Sequence, residues 1–239
     1  MTIAQGLAAV QQRIAEAATA AGRSATSVRL LAVSKFQPAS AIREAYAAGQ
    51  RDFGENYVQE LCTKAEELRD LTELRWHLIG HLQRNKAGKV APLASSVHSV
   101  DSAELAQALA RRAEQDAQER TRRFGADARL RVLVELNIAD EPQKAGASIA
   151  ELALVLSAVE SQPALALAGL MCVPPAGSAE EARPHFERLR ALRDEHGGAA
   201  RLPELSMGMT ADLELAILAG ATIVRVGTAI FGERPAKVT

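Results

Sequence analysis

The sequence predicts an α/β fold, a single (β/α)8 barrel of the TIM type preceded by one extra helix. Three observations predict it. Strand-like and helix-like segments alternate along the whole chain. Eight strand candidates fall within 239 residues, the size of one such barrel. The turn after the first strand, Ser34-Lys35-Phe36-Gln37-Pro38, lacks the glycine-rich form that a doubly wound open sheet usually carries there. No Pro/Gly/Ser stretch is long enough to act as a linker, so residues 1–239 read as one domain.

The elements follow in order. An amphipathic pattern over Ile3–Ala21 predicts a helix ahead of the first strand. The apolar, β-branched run Val28–Lys35 is the first strand, and Pro38 suits the start of the helix Ala39–Ala48, which Gly49 closes. Strand Asp52–Gly54 leads to helix Tyr57–Asp70, and strand Trp76–Gly80 leads to helix Gln83–Val90. Strand Ser96–Val100 precedes a long polar helix, Ser102–Phe124, opened by the capping pattern Asp101-Ser102-Ala103-Glu104. Strands Arg131–Asn137 and Leu167–Val173 are followed by helices Ile149–Ser161 and Ala179–Glu195, the latter ended by Gly197-Gly198. Strand Glu204–Met207, helix Ala211–Ala219 with Gly220 behind it, and strand Ile223–Gly227 complete the alternation. Trp76 and Phe53 are expected in the core.

Composition narrows the function classes. Apolar residues make up 48% of the chain, enough for a large core, and the formal charge is −1, so no global basic field recruits nucleic acid or membrane. The basic runs Arg111-Arg112 and Arg120 to Arg123 read as a solvated helix face. Cys62 and Cys172 form no disulfide framework and show no metal-ligand spacing. The first residues lack a basic segment followed by an apolar one, and no apolar run reaches the length of a membrane span, so a soluble cytoplasmic protein is expected.

Barrel enzymes build their sites from residues at the carboxyl ends of strands. Here those ends carry Lys35, then Gly54 to Tyr57, His77 to His81, Ser99 to Asp101, Asn137, Met171 to Pro174, Ser206 to Thr210, and Gly227-Thr228. Lys35 stands out. Partial desolvation at a strand end favours the neutral amine, the form that attacks carbonyls. The turns after the seventh and eighth strands, Ser206-Met207-Gly208-Met209 and Gly227-Thr228, occupy the positions where such barrels often hold phosphate. Glycine lets backbone amides approach an anion, hydroxyls add donors, and Thr210 or Asp212 suits the cap of the next helix. A carbonyl-reactive lysine with two anion turns points to an aldehyde bearing a phosphate, of which pyridoxal 5′-phosphate is the leading candidate. His77 and His81 are four apart, but their strand-to-loop placement and the missing intervening glutamate argue against a metal site.

The chain resembles the pyridoxal-phosphate homeostasis proteins, single-barrel relatives of the alanine racemase N-terminal domain. The matching segments run in order through nearly the whole sequence. They are Ala32 to Lys35, Phe53 to Glu60, Trp76 to Lys86, His98 to Asp101, Glu141 to Gly146, Gly169 to Met171, Leu205 to Met209 and Arg225 to Gly232. The resemblance implies pyridoxal-phosphate fold type III, with Lys35 joined to the cofactor as a Schiff base. It also implies that Ser206, Gly208, Gly227 and Thr228 hold the phosphate, that Asn56 lies beside the cofactor, and that Arg225 faces the pyridine nitrogen. The chain departs from many relatives at Phe36-Gln37, where they carry threonine and a second lysine. A relay of cofactor through that second lysine is therefore in doubt here.

Two function classes compete. One is a cofactor carrier for pyridoxal phosphate homeostasis without dedicated turnover, with apoenzymes as candidate recipients. The other is an amino-acid racemase or related enzyme. Racemisation needs an acid/base group on each face of the reacting carbon. In alanine racemases the second group comes from a β-rich domain of the partner subunit, and only seven residues follow Gly232 here. An arginine at the pyridine nitrogen also makes a poor electron sink. Both arguments favour the carrier, expected as a monomer or weak dimer. The stretch Gln83 to Lys86 reads equally as a recognition surface or a solvated helix start.

Overall fold

The structure is a computed structural model, and it describes residues 1–232. Eight parallel strands close into a barrel in sequence order. They are β1 (Arg29–Val33), β2 (Asp52–Glu55), β3 (Arg75–Leu78), β4 (Ala94–Val100), β5 (Leu130–Leu136), β6 (Leu165–Cys172), β7 (Glu204–Ser206) and β8 (Ile223–Val226). The expected fold class therefore stands. The helices are α1 (Ile3–Ala20), α2 (Ala39–Ala47), α3 (Val58–Glu67), α4 (Ala87–Val90), α5 (Ala103–Gln115), α6 (Ala117–Phe124), α7 (Leu152–Glu160), α8 (Ala179–Glu195), α9 (Gly198–Arg201), α10 (Leu213–Leu218) and α11 (Thr228–Phe231). No helix among the described residues is long and apolar enough to cross a membrane.

Strand alternation sorts the side chains into two environments. On β1, Leu30 and Ala32 join the large cluster that packs strands against helices, where Trp76 and Phe53 also lie. Leu31 and, partly buried, Val33 belong instead to a small cluster with Ile79 and Ile223, on the barrel's inner side. Leu133, Ala168 and Met171 form a second inner cluster. On β8 the outward residues are Val224 and Val226, which leaves Ile223 and Arg225 facing in. The register pairs Leu31 with Arg225, so Arg225 lies deeper in the barrel than the turn carrying Lys35.

The structure departs from the sequence expectations at several points. The long helix Ser102–Phe124 is two helices that meet at Asp116. The break serves Arg120, which is buried and donates from Nε to Ala128 O (2.7 Å) and from Nη1 to Ala94 O (2.9 Å) and Ala91 O. Its guanidinium thus ties α6 to the segment entering β4, and the Arg120 to Arg123 run is not simply a solvated face. The cap of α5 is Ser102, whose hydroxyl accepts from Leu105 N, rather than a capping box built on Asp101. The Gln83–Val90 helix is a 3-10 turn (Arg84–Lys86) followed by the single turn α4. The last helix before β8 begins at Leu213 instead of Ala211, because Asp212 accepts from Met209 N (2.5 Å) and folds the preceding residues into a turn.

Candidate active site at the carboxyl mouth of the barrel

Lys35 lies two residues beyond the end of β1 and is half-buried. Its turn is clamped from below. Lys64, from α3, donates to Ser34 O (2.7 Å), Glu55 Oε1 (2.8 Å) and Glu60 Oε2 (2.8 Å). Ser34 Oγ donates to Glu55 Oε1 (2.6 Å), and Phe36 N donates to Glu60 Oε2 (2.8 Å). The residues on both sides of Lys35 are therefore bound to one buried ionic cluster. Burial pushes the Glu55 carboxyl above its usual range, and the Lys64 charge and hydrogen bond pull against that shift. Phe36 adopts a left-handed backbone (φ 64°), a conformation that costs a non-glycine residue roughly 1–2 kcal/mol. Its ring packs against Tyr57 at 5.4 Å between centroids, beside the same turn.

Asn56 follows β2. Its Oδ1 is buried and has no hydrogen-bond partner among the described residues. Gly80 presses against it: a Cβ there would lie 2.2 Å from Asn56 O, so only glycine allows this approach. A cavity of about 240 Å³ opens here, lined by Asn56, Ile79, Glu135, Asn137, Lys144 and Val173 among others. Lys144 Nζ pairs with Glu141 Oε1 at 2.9 Å. Burial pushes the Glu135 carboxyl up to about 7, against the pull of Arg225. A larger cleft of about 470 Å³, lined by Arg51, Arg75 and Arg131 among others, lies at the amino ends of the strands, the face of such barrels that carries stability.

The raised Glu135 carboxyl has a consequence for stability. The folded state holds this proton more tightly than the unfolded chain, so stability falls as pH rises from about 4.5 to about 7. Glu135→Gln is expected to flatten that slope in urea titrations across the window. An unchanged slope would contradict the assignment.

Gly208 and the pair Gly227-Thr228 end the adjacent strands β7 and β8. Gly208 has φ +90°, and a Cβ there would meet Ala216 Cβ at 2.5 Å. Its carbonyl accepts from Arg225 N (2.9 Å), which pins the turn to β8. Thr228 is exposed and opens α11.

Ser206 lies at the end of β7. It is fully buried, and its hydroxyl lies 2.9 Å from Arg225 Nη1 and 3.0 Å from His98 Nδ1. Arg225 is held by three acceptors: Ser206 O (2.5 Å), Ser206 Oγ and Cys172 O (2.9 Å). Burial lowers its pKa, yet a guanidinium keeps its proton at any working pH.

His77 and His81 separate. His77 lies in the barrel interior, between Asp52 Oδ1 (2.9 Å) and Ser96 Oγ (2.6 Å). The exposed His81 is at the rim, 3.6 Å from Asp101. Sequence reasoning missed Lys64, Glu55 and Glu60 as the clamp, and Ser96 and His98 as interior residues. A signal existed for the last two, since strand alternation puts Ser96 and His98 together on the face opposite Val97.

The fold and the site define a class: a (β/α)8 barrel with a clamped lysine after the first strand and glycine turns after the last two. The chain belongs to the alanine racemase N-terminal domain family, whose model matches residues 6–235. It is 47% identical over 236 residues to the pyridoxal phosphate homeostasis protein of Pseudomonas aeruginosa, covering 98% of this chain and 96% of that one. It is 44% identical over 238 residues to the protein of that name from Escherichia coli K12, with 97% of each covered. Among solved structures it is similar to PipY of Synechococcus elongatus with pyridoxal phosphate bound (TM-score 0.81, 39% identity, 97% of this chain and 100% of that one). The alanine racemase of Corynebacterium glutamicum shares the fold (TM-score 0.63, 20% identity), and the match covers 98% of this chain but 63% of the racemase.

Proposed function

We propose that this chain binds pyridoxal 5′-phosphate at the carboxyl mouth of its barrel and serves in pyridoxal phosphate homeostasis as a carrier, without dedicated turnover. The observation that carries the reading is the Lys35 turn, fixed on both sides by the Lys64 cluster and set above an inward-facing Arg225. Relatives named pyridoxal phosphate homeostasis proteins match nearly end to end, which supports the reading.

The residues fit the cofactor. The Gly208 turn tolerates no Cβ, Asn56 presents a buried acceptor that lacks a partner, and Arg225 presents a permanent donor. When bound, the group supplies an aldehyde that condenses with an amine and releases water. Lys35 provides that amine. Gly208, Gly227 and Thr228 would hold the phosphate, Asn56 would stand beside the ring, and Arg225 would donate toward the ring nitrogen. Ser206 acts one step back, by holding Arg225. An arginine at that nitrogen opposes its protonation by like-charge repulsion, which keeps the ring a weak electron sink and suits a carrier.

The test is borohydride reduction of the purified, cofactor-loaded protein. The expected result is one trapped adduct, on Lys35, absent in Lys35→Ala. A trapped adduct on another lysine overturns the site. Rapid solvent-deuterium incorporation into alanine with inversion overturns the carrier reading.

A further inference from the structure

The barrel interior carries a continuous polar chain that the cofactor contacts do not use. It starts at Arg225 on β8 and passes to Ser206 on β7 (2.9 Å) and then His98 on β4 (3.0 Å). It continues through Ser96 (2.8 Å) and His77 on β3 (2.6 Å) to Asp52 on β2 (2.9 Å). The step from β7 to β4 crosses the barrel, since those strands are not neighbours. Interiors of such barrels are normally filled by branched apolar side chains. A run of buried polar groups that cost free energy unless each is satisfied is therefore a specific arrangement.

The chain's polarity is fixed by its ends. Arg225 can only donate. At the far end, burial disfavours the Asp52 charge, but hydrogen bonds from His77 and Arg75 outweigh it and hold the carboxyl well below its usual range. The carboxylate can only accept. With both imidazoles uncharged, one assignment satisfies every group between them. Arg225 donates to Ser206, Ser206 O–H donates to His98 Nδ1, and His98 Nε2–H donates to Ser96. Ser96 O–H then donates to His77 Nδ1, and His77 Nε2–H donates to Asp52. Both imidazoles then carry their one proton on Nε2. Burial holds His98 well below the usual imidazole range, in accord with an uncharged His98 in that assignment.

We propose that Asp52, His77, Ser96, His98 and Ser206 form a one-directional hydrogen-bond chain that positions Arg225 against the ring nitrogen of pyridoxal 5′-phosphate. These are positioning residues, because none of them touches the cofactor. Reversing any link leaves two donors facing each other or an acceptor without a proton, so the far carboxylate sets how Ser206 presents its lone pairs to Arg225. This inference rests on the proposed function, which places Arg225 at the ring nitrogen.

The test uses the full-length protein, with and without pyridoxal phosphate. Long-range 1H–15N spectra of the cofactor-free protein are expected to show His77 and His98 neutral, with the proton on Nε2. His98 protonated on Nδ1, or charged, overturns the proposal with no variant needed. In the loaded protein, Ser96→Ala is expected to free His98 from a single tautomer and to shift the 15N signal of the ring nitrogen. It should also weaken pyridoxal phosphate about three- to ten-fold, the value of one hydrogen bond. Ser96→Thr, which keeps the hydroxyl, should retain the wild-type signal and affinity. A Ser96→Ala protein that folds with both readouts unchanged overturns the chain as a positioning device. Failure of the wild type to bind pyridoxal phosphate would instead overturn the proposed function, while the histidine signals of the unloaded protein still report on the chain.

Discussion

Lys64→Met is expected to destabilise the protein by about 3–5 kcal/mol, read as a lower midpoint in urea or thermal unfolding. Lys64 is buried, and so is Glu55, while Glu60 is partly exposed. Removing the cation leaves two carboxylates facing each other with neutral donors, Ser34 Oγ and Phe36 N, but no compensating charge. The cost of an uncompensated buried charge exceeds the value of the pair it came from. Burial already pushes the Glu55 carboxyl up, and without Lys64 it should take up a proton more readily still. The double variant Lys64→Met with Glu55→Gln should therefore recover a large part of the loss. The damage also reaches the site, because the same cluster holds Phe36 N in its left-handed turn next to Lys35. Adduct formation at Lys35 should slow even where the variant remains folded. A loss below about 1 kcal/mol would mean the cluster is solvated and behaves as a surface pair.

The barrel was legible because its code is local. Short apolar runs such as Leu30 to Val33 and Ile223 to Val226, set between helical patterns, mark strands without reference to any distant residue. The glycines after helices were legible for the same reason: Gly49, Gly197 and Gly220 all have positive φ just beyond a helix end. Lys35 stood out because a strand end is a place that sequence can mark.

What stayed hidden depends on long-range contacts. Glu60 and Lys64 read as an ordinary helical pair four residues apart, and nothing in the sequence says that Glu55 and the Ser34 carbonyl lie beneath them. The hydroxyl of Ser206 looked available to a phosphate. It turns inward because its partner, His98, lies 108 residues away. The break at Asp116 had no proline or glycine to announce it, since the cause is the demand of Arg120 for carbonyls in other segments. An Arg225→Glu substitution would be a poor test of the ring-nitrogen contact. Arg225 is wholly enclosed and held by carbonyl oxygens, so a carboxylate there would face acceptors and the charge of Glu135.

Pyridoxal lacking its phosphate is expected to bind at least about 100-fold more weakly than pyridoxal 5′-phosphate, since charge-assisted hydrogen bonds contribute about 1.5–3 kcal/mol each and several donors converge. The residues that make the difference can be separated by titrating both ligands into the cofactor-free protein. Thr228→Val keeps the size of the side chain and removes one charge-assisted donor, so it should narrow the gap by roughly ten-fold or more. Gly208→Ala should narrow it further. The new methyl would have to displace Ala216 at a backbone angle that L-residues rarely adopt, and the turn would move off Arg225 N. Ser206→Ala is the informative contrast. Its hydroxyl points to Arg225 and His98, so its loss should weaken both ligands alike through Arg225 and leave the phosphate gap intact. A gap that closes in Ser206→Ala would return that hydroxyl to the phosphate and remove it from the interior chain.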